Sequence, residues 1–352
     1  MNRILSQFCL DGNPVSCVPY GEGHINRTFL VTTDGSRRYI LQQLSRTAFA
    51  DIPGLMENVA AVTAHLAAKY SDPRASLHLV PTVGGASYFR DSEGEYWRVY
   101  DFVEGSVCLQ KAETPADFFE SAQAFGGFQQ SLEDFPASTL HETIPYFHNT
   151  PDRYRKFRLA IEADKCGRLR EVQREVDFLL LREEKAGTLQ RMLASGDLPL
   201  RVTHNDTKLN NVLFDEVTRK ALCVIDLDTV MPGLVAHDFG DSVRFGASTG
   251  AEDEKDLSKI ELSLSLYETC LRGFVPACGS LSREELSSLP MGAWTMTLEN
   301  GMRFLTDYLD GDRYYHIARP EHNLDRCRTQ LKLVTEMEKA WDAMRRLAES
   351  AV

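Results

Sequence analysis

The stretch V-T-H-N-D-T-K-L-N-N-V-L-F-D, residues 202–215, carries the side chains best suited to chemistry, and V-I-D-L-D-T follows at 224–229. Phosphoryl transfer needs a carboxylate to orient an attacking hydroxyl. It also needs oxygen ligands for a divalent cation that screens charge on the phosphates. Asp206, in a loop just past a short β-run, suits the first task. Asn211, five residues on at the start of a strand, and Asp226, at the end of the next strand, suit the second. A hairpin so arranged would bring the three side chains to one end of a sheet. Each residue alone is an ordinary turn former. The ordered set His-x-Asp-x-x-x-x-Asn, then apolar-apolar-Asp, is far more specific.

The elements that must hold these residues change character along the chain. R-T-F-L-V-T-T and R-R-Y-I-L-Q-Q-L, separated at Asp34-Gly35, read as a hairpin with a two-residue turn. Leu55, Val59, Val62 and Leu66 then recur with helical spacing. A second hairpin, A-S-Y-F-R-D and E-Y-W-R-V-Y-D-F-V, turns at Ser92-Glu93-Gly94. From about 115 helical stripes dominate: Phe118/Ala122/Phe125/Phe128, Leu169/Val172/Val176/Leu179, Leu257/Ile260/Leu264/Tyr267/Leu271, and a long charged helix over 324–349. The break falls near Glu104-Gly105, which predicts domains of 1–104 and 105–352.

Composition is that of a globular chain of 352 residues, 43% hydrophobic and 26% charged. The formal charge of −12 argues against nucleic-acid binding, since a phosphate backbone favours a basic face. It leaves room for an anionic ligand held by backbone N–H groups and a metal ion. Eight scattered cysteines include no C-x-x-C pair, which speaks against zinc and suits a reducing compartment. The N-terminus does not read as a signal peptide, and no stretch approaches the ~20 apolar residues of a membrane span. The expectation is a cytoplasmic monomer without membrane or nucleic-acid partners.

H-N-D-T-K-L-N-N with I-D-L-D resembles the catalytic and metal motifs of the aminoglycoside phosphotransferase/choline kinase superfamily of small-molecule kinases. The resemblance implies an α+β, protein-kinase-like two-lobed fold. It would have a small antiparallel β-rich N-lobe with one inserted helix and a large, mainly helical C-lobe. It implies ATP as phosphoryl donor, Asp206 as the catalytic carboxylate, and Asn211 and Asp226 as Mg2+ ligands. V-A-H-D-F-G-D-S contains Asp238-Phe239-Gly240, the tripeptide that grips magnesium in protein kinases. Here the metal aspartate is expected about twenty residues after Asp206, which is Asp226; Asp238 lies 32 residues on. Asp238, with His204, is therefore expected to support the catalytic loop by hydrogen bonds.

The N-terminal motifs fit the same frame. In Y-G-E-G-H-I-N, Gly21, Gly23 and Asn26 fit a nucleotide-covering loop, although two glycines also make a plain turn. Asp101, Phe102 and Val103 fit the interlobe linker whose backbone pairs with adenine, or an edge strand that simply ends at Gly105. Gln42 stands where the superfamily usually carries Lys or Arg. Glutamine can donate a hydrogen bond to phosphate but brings no charge. That loss marks either a pseudokinase that senses nucleotide or sugar, or a subfamily that neutralises phosphate mainly through metal. The intact Asp206/Asn211/Asp226 set favours the second.

Further strings, among them D-F-G-D-S-V-R-F-G-A-S, G-M-R-F-L-T-D-Y-L-D-G-D and P-E-H-N-L-D-R, resemble the N-acetylhexosamine 1-kinase family of bifidobacterial type. That resemblance runs nearly end to end and includes the Gln42 departure. It implies transfer from ATP to the anomeric hydroxyl of N-acetylglucosamine or N-acetylgalactosamine. The implied sugar site comprises His24, Asp206, Phe245, Arg303 and Tyr314, with Tyr315 adjacent and able to exchange roles with Tyr314. Choline, homoserine, methylthioribose and aminoglycoside kinases are the alternatives that keep the fold and change the acceptor.

Overall fold

A computed structural model describes residues 1–21 and 25–351, so Gly23 and His24 of the glycine loop lie outside the described residues. The chain forms two compact units. One comprises Met1–Cys108, Asp134–Pro145 and Leu213–Met231; the other comprises Leu109–Glu133, Tyr146–Val212 and Pro232–Val352. The architecture is α+β, with an antiparallel sheet at the N-terminal end and a large helical part after it.

The first unit is built on five antiparallel strands: β1 (Pro14–Pro19), β2 (Arg27–Thr33), β3 (Arg38–Leu44), β4 (Phe89–Arg90) and β5 (Tyr96–Asp101), in the order β1-β2-β3-β5-β4. Alternation along each strand sends side chains to opposite faces. On one face Val31, Tyr39, Leu41, Trp97 and Val99 bury themselves against Leu5, Phe8 and Val80. On the other, the register sets Thr28 opposite Gln42 and Gln42 opposite Arg98, a polar row across three strands.

The Ile52–Lys69 helix covers that polar face, with the Met56 sulfur 3.8 Å from the Arg98 guanidinium. It starts where the Asp51 carboxylate accepts the Gly54 N–H at 3.0 Å, with Pro53 in the first turn, where no N–H partner is needed. Leu55, Met56, Val59, Val62 and Leu66 form its buried stripe. A second, three-stranded sheet sets Val212–Asp215 between Ser106–Cys108 and Ala221–Val224.

The first hairpin differs from the two-residue turn expected at Asp34-Gly35. The connection is longer: Thr33 N–H reaches the Arg37 carbonyl, and the left-handed residue is Ser36 at φ 62°. The cause is β1, a strand the sequence pattern did not disclose. Asn13 at its start donates from backbone and side chain to the two Asp34 carboxylate oxygens, at 2.8 and 2.9 Å, drawing the turn toward β1.

The second unit is helical. The Pro115–Ser131 helix opens on a reciprocal cap between Thr114 and Asp117 and buries Phe118, Ala122, Phe125 and Phe128, the stripe expected there. Two other stripes are only partly helical. Leu169 and Leu257 sit in short 3-10 turns, and the α-helices begin at Gln173 and Leu264. Val172 and Ile260 are nevertheless fully buried, so the apolar period follows packing through a change of helix type. The long C-terminal helix is interrupted at Ala340, giving His322–Lys339 and Trp341–Glu349.

Two glycines set how closely the site-bearing helices approach. A Cβ on Gly240, in the Val235–Gly246 helix, would lie 2.3 Å from the Gly292 carbonyl oxygen in the Arg283–Asp310 helix. A Cβ on Gly292 would lie 2.0 Å from the Ala236 carbonyl oxygen. Both obstacles are backbone, so relief requires moving a helix. Gly292→Ala should therefore lower unfolding free energy by about 1–3 kcal/mol in urea titrations, the range for overpacking a dense core. An unchanged midpoint would contradict this close approach.

Candidate active site

The His204–Asn211 segment follows the short strand Arg201–Thr203 and carries an unusual backbone: Asn205 is left-handed, at φ 66°. Asparagine tolerates that conformation better than most residues. Asp238, in the next helix of this unit, fixes it. Its Oδ2 accepts the His204 N–H at 2.8 Å and Gln129 Nε2 at 2.6 Å, and its Oδ1 accepts the Asn205 N–H at 2.7 Å. Thr207 Oγ1 donates to the Asp238 carbonyl, and Ser242 Oγ donates to the Thr207 carbonyl. Burial pushes the Asp238 carboxyl upward; His204 and the donated N–H groups partly offset the rise. Asp238-Phe239-Gly240 thus lies inside a buried helix, with both carboxylate oxygens committed to the loop. The His204 ring is fully buried and edge-on to Phe125 and Phe128, at centroid distances of 5.3 and 5.8 Å.

This scaffold presents Asp206. Its Oδ1 lies 2.9 Å from Lys208 Nζ, and its Oδ2 accepts Asn211 Nδ2 at 3.1 Å. Burial would raise the carboxyl, but the adjacent Lys208 ammonium, His204 and Arg244 hold it below the ordinary carboxylate value. Asn211 closes a 3-10 turn, Leu209–Asn211, immediately before its strand. Its amide nitrogen serves the Asp206 carbonyl at 2.8 Å as well as the carboxylate, leaving Oδ1 without a protein partner among the described residues. An amide oxygen presented in this way suits a hard cation.

Asp226 belongs to the first unit and is exposed. It stands two residues past the Ala221–Val224 strand with a left-handed backbone, φ 61°, at the start of the 3-10 turn Leu227–Thr229. Among the described residues no three His, Cys, Asp or Glu side chains cluster around a potential metal position. Magnesium typically takes one or two protein carboxylates and completes its shell with phosphates and water, and the oxygens of an amide and a carboxylate are donors of the kind it accepts.

In the first unit, the polar row on the sheet ends beside Asp226. Gln42 Nε2 donates to Thr28 Oγ1 at 3.1 Å, and Gln42 Oε1 accepts from Arg98 Nε at 2.9 Å. Arg98, 1% exposed, forms an ion pair with Asp228, 3% exposed. Asn26 Nδ2 donates to the other Asp228 oxygen at 2.6 Å, and Asn26 Oδ1 accepts the Ser45 N–H at 3.0 Å. The Gln42 side chain is thus a neutral link in this network. The positive charge absent from position 42 resides one strand away, on Arg98. Gly21, at φ 76°, has open space around it. Asp101 ends β5; Phe102 lies under the Arg38 guanidinium, 4.1 Å from its centroid, and the Val103 carbonyl accepts Ser106 Oγ at 2.6 Å.

The residues expected at the acceptor belong to the second unit, apart from His24, which is not described. Phe245 is half-buried near the end of the Val235–Gly246 helix, and Arg303 is half-buried on the Arg283–Asp310 helix. Arg303 lies over Phe147 and Tyr315, 5.4 and 5.7 Å from the ring centroids. Tyr314 is 65% exposed and packs edge-on against Tyr315, whose buried hydroxyl has no hydrogen-bond partner among the described residues. Asp307 fixes this turn by accepting the N–H groups of Arg313, Tyr314 and Tyr315 at 2.8–3.0 Å.

Several members escaped the sequence reading. Lys208 was in plain view, two residues from Asp206. Arg98 could have been noticed as a cation in the middle of the apolar strand Y-W-R-V-Y, and Glu299 as a lone acid in W-T-M-T-L-E-N-G-M. Charges in such positions are rarely buried without partners. Arg244 and Asp241, paired at 2.9 Å, had no comparable signal.

The family model described as "Phosphotransferase enzyme family" matches residues 16–263. Among solved structures, a microcompartment-associated aminopropanol kinase superposes with a TM-score of 0.63 at 16% identity, covering 98% of this chain and 97% of that one. An aminoglycoside phosphotransferase from Alicyclobacillus acidocaldarius gives 0.66 at 14%, covering 99% and 96%. An amicoumacin kinase in complex with AMP-PNP and Ca2+ gives 0.63 at 13%, covering 96% and 92%. At such identities the likeness is one of fold.

The buried Arg98–Asp228 pair yields a stability test. Arg98→Met strands the Asp228 carboxylate and should cost about 3–5 kcal/mol, the usual penalty for breaking a buried pair. Arg98→Met with Asp228→Leu should recover most of that loss in the same denaturant titration. Additive losses would show that the two side chains are not coupled.

Proposed function

We propose, from the premise that the chain belongs to the phosphotransferase enzyme family, that it is an ATP- and Mg2+-dependent small-molecule kinase. Its acceptor in this proposal is the anomeric hydroxyl of N-acetylglucosamine or N-acetylgalactosamine. The observation that carries the reading is the state of Asp206, an ionised carboxylate on a pinned loop, bonded to Lys208 and Asn211. Asn211 and Asp226 are the proposed metal ligands. A bound Mg2+ would supply charge neutralisation on the β- and γ-phosphates.

The residues of the chain divide the remaining work. Asp206 accepts a hydrogen bond from the attacking hydroxyl and aligns it. Its lowered pKa makes it a weak base, which suits an anomeric hydroxyl, more acidic than an ordinary alcohol. The C1 oxygen then bonds to the γ-phosphorus as the bond to the β-phosphate oxygen breaks; the hydroxyl proton passes to Asp206 and from there to solvent, and ADP leaves. Lys208 supplies positive charge beside the reacting groups, which supports function without a strand lysine. Gly21, Gly23 and Asn26 are proposed to cover the nucleotide, with the Asp101–Val103 backbone on adenine. Asn26 and Gln42 act in this reading by ordering the sheet network rather than by carrying charge.

For the acceptor, Phe245 offers a ring face, while His24, Arg303 and one of Tyr314 or Tyr315 offer donors to hydroxyls and the acetamido carbonyl. The half-buried cations Arg153 and Arg303 favour a neutral sugar over a polyamine. Burial and the neighbouring Arg303 push the Arg153 guanidinium downward, a sign of crowded positive charge.

Coupled ADP release with N-acetylglucosamine, N-acetylgalactosamine, galactose, choline and kanamycin should show the N-acetylhexosamines as best acceptors. Turnover confined to choline or kanamycin would replace the acceptor, and none with any compound would support the pseudokinase. Asp206→Asn should lower kcat by about 10²–10⁴-fold with ATP affinity retained. Turnover at the wild-type rate would discard the assignment.

A further inference from the structure

The peptide group joining Asn205 to Asp206 is held at both polar ends by histidines. Its N–H, on Asp206, donates to His204 Nδ1 at 3.3 Å. Its carbonyl, on Asn205, lies 3.0 Å from His148 Nε2. His148 is itself buried, and its other nitrogen, Nδ1, lies 3.0 Å from Glu299 Oε1. Glu299 is fully buried on the Arg283–Asp310 helix, one helical turn before Arg303, and its Oε2 accepts Thr150 Oγ1 at 2.8 Å.

The partners dictate how these bonds run. A backbone carbonyl can only accept. The Glu299 carboxyl is held down to about 2: burial would raise it, but His148, Arg153 and Arg303 outweigh burial, so it too only accepts. For both contacts to be hydrogen bonds, His148 donates from both nitrogens. His237 also packs against the ring, centroid distance 5.3 Å, and burial pushes its pKa down to about 3. Neutral His237 can lie against His148 without repelling it.

Such a clamp matters because of what it clamps. Asn205 is left-handed, and the peptide that follows it places a carbonyl and an N–H in a buried loop where each needs a partner. Rotation of the 205–206 peptide would break both the Asp206 N–H bond to His204 and the carbonyl contact with His148, loosening the backbone that carries Asp206. Asp238 fixes the N–H groups of His204 and Asn205, two peptides and one peptide earlier. Nothing in its set of bonds fixes the next carbonyl; His148 does.

We propose that Glu299 and His148 form a positioning dyad that locks the Asn205–Asp206 peptide and thereby aims the Asp206 carboxylate. The dyad also ties the aim of Asp206 to the helix that carries Arg303. The inference rests on Asp206 being the catalytic carboxylate.

His148→Leu removes both bonds, whereas His148→Gln keeps a donor near the Nε2 position. With the acceptor that wild type uses best, His148→Leu should lower kcat 10–100-fold with KM for ATP and acceptor within threefold. His148→Gln should restore at least a third of the lost logarithmic rate. Hydrogen exchange should rise in His148→Leu at amides of residues 204–207, with the remaining helices protected as in wild type. A kcat within threefold of wild type in folded His148→Leu overturns the dyad. So does an equal loss in both variants with unchanged exchange at 204–207. Should both fail to fold, Glu299→Met, which keeps a similar volume but removes the acceptor oxygens, takes their place: the same kcat loss at constant KM supports the dyad, and wild-type kcat overturns it. Absence of any turnover in wild type would instead refute the kinase reading, while exchange at 204–207 would still decide the clamp.

Discussion

The Asp238 carboxylate is the contact on which the second unit's chemistry depends. It takes two consecutive backbone N–H groups and a glutamine amide, and so makes a left-handed residue at 205 tolerable in a buried loop. An unpaired buried carboxylate would be costly, and so would three buried donors without an acceptor. Together they satisfy one another. The close glycine-mediated approach of helices Val235–Gly246 and Arg283–Asp310 then puts the anchor and the Phe245 and Arg303 side chains on elements that cannot shift independently.

The first unit solves a different problem. A β-sheet row of Thr28, Gln42 and Arg98 carries a buried positive charge, and Asp228 neutralises it. Asp228 is only two residues from Asp226, so the same pair that stabilises the sheet also ties down the turn bearing a proposed metal ligand. Asn26 joins the arrangement from β2's approach, linking Asp228 to the backbone at Ser45. A lysine at position 42 would place a second cation against Arg98. Glutamine, able to donate on one side and accept on the other, suits the row better.

Much of this was legible in the sequence because it is written in local patterns. The β2 and β3 strands alternate, the helical stripes recur, and the His204-to-Asn211 spacing is specific. What stayed hidden depended on long-range pairing. Asp34 and Asn13 reshape a turn through a strand, β1, whose exposed Val15 and Val18 break the expected alternation. Arg98 meets Asp228 across 130 positions, and His148 meets Glu299 across 151. No periodicity encodes such meetings. The only trace is a charged residue placed where the neighbouring pattern calls for an apolar one.

In the proposed function, Asp206 directs the C1 oxygen of an N-acetylhexosamine at the terminal phosphate of ATP. Product analysis tests it most directly: ATP and N-acetylglucosamine labelled with 13C at C1, incubated with the protein and Mg2+, followed by 31P and 13C NMR. The account predicts a phosphomonoester signal coupled to the labelled anomeric carbon, absent with Asp206→Asn. A phosphoester on any other carbon, or an unchanged product signal in the variant, would contradict it.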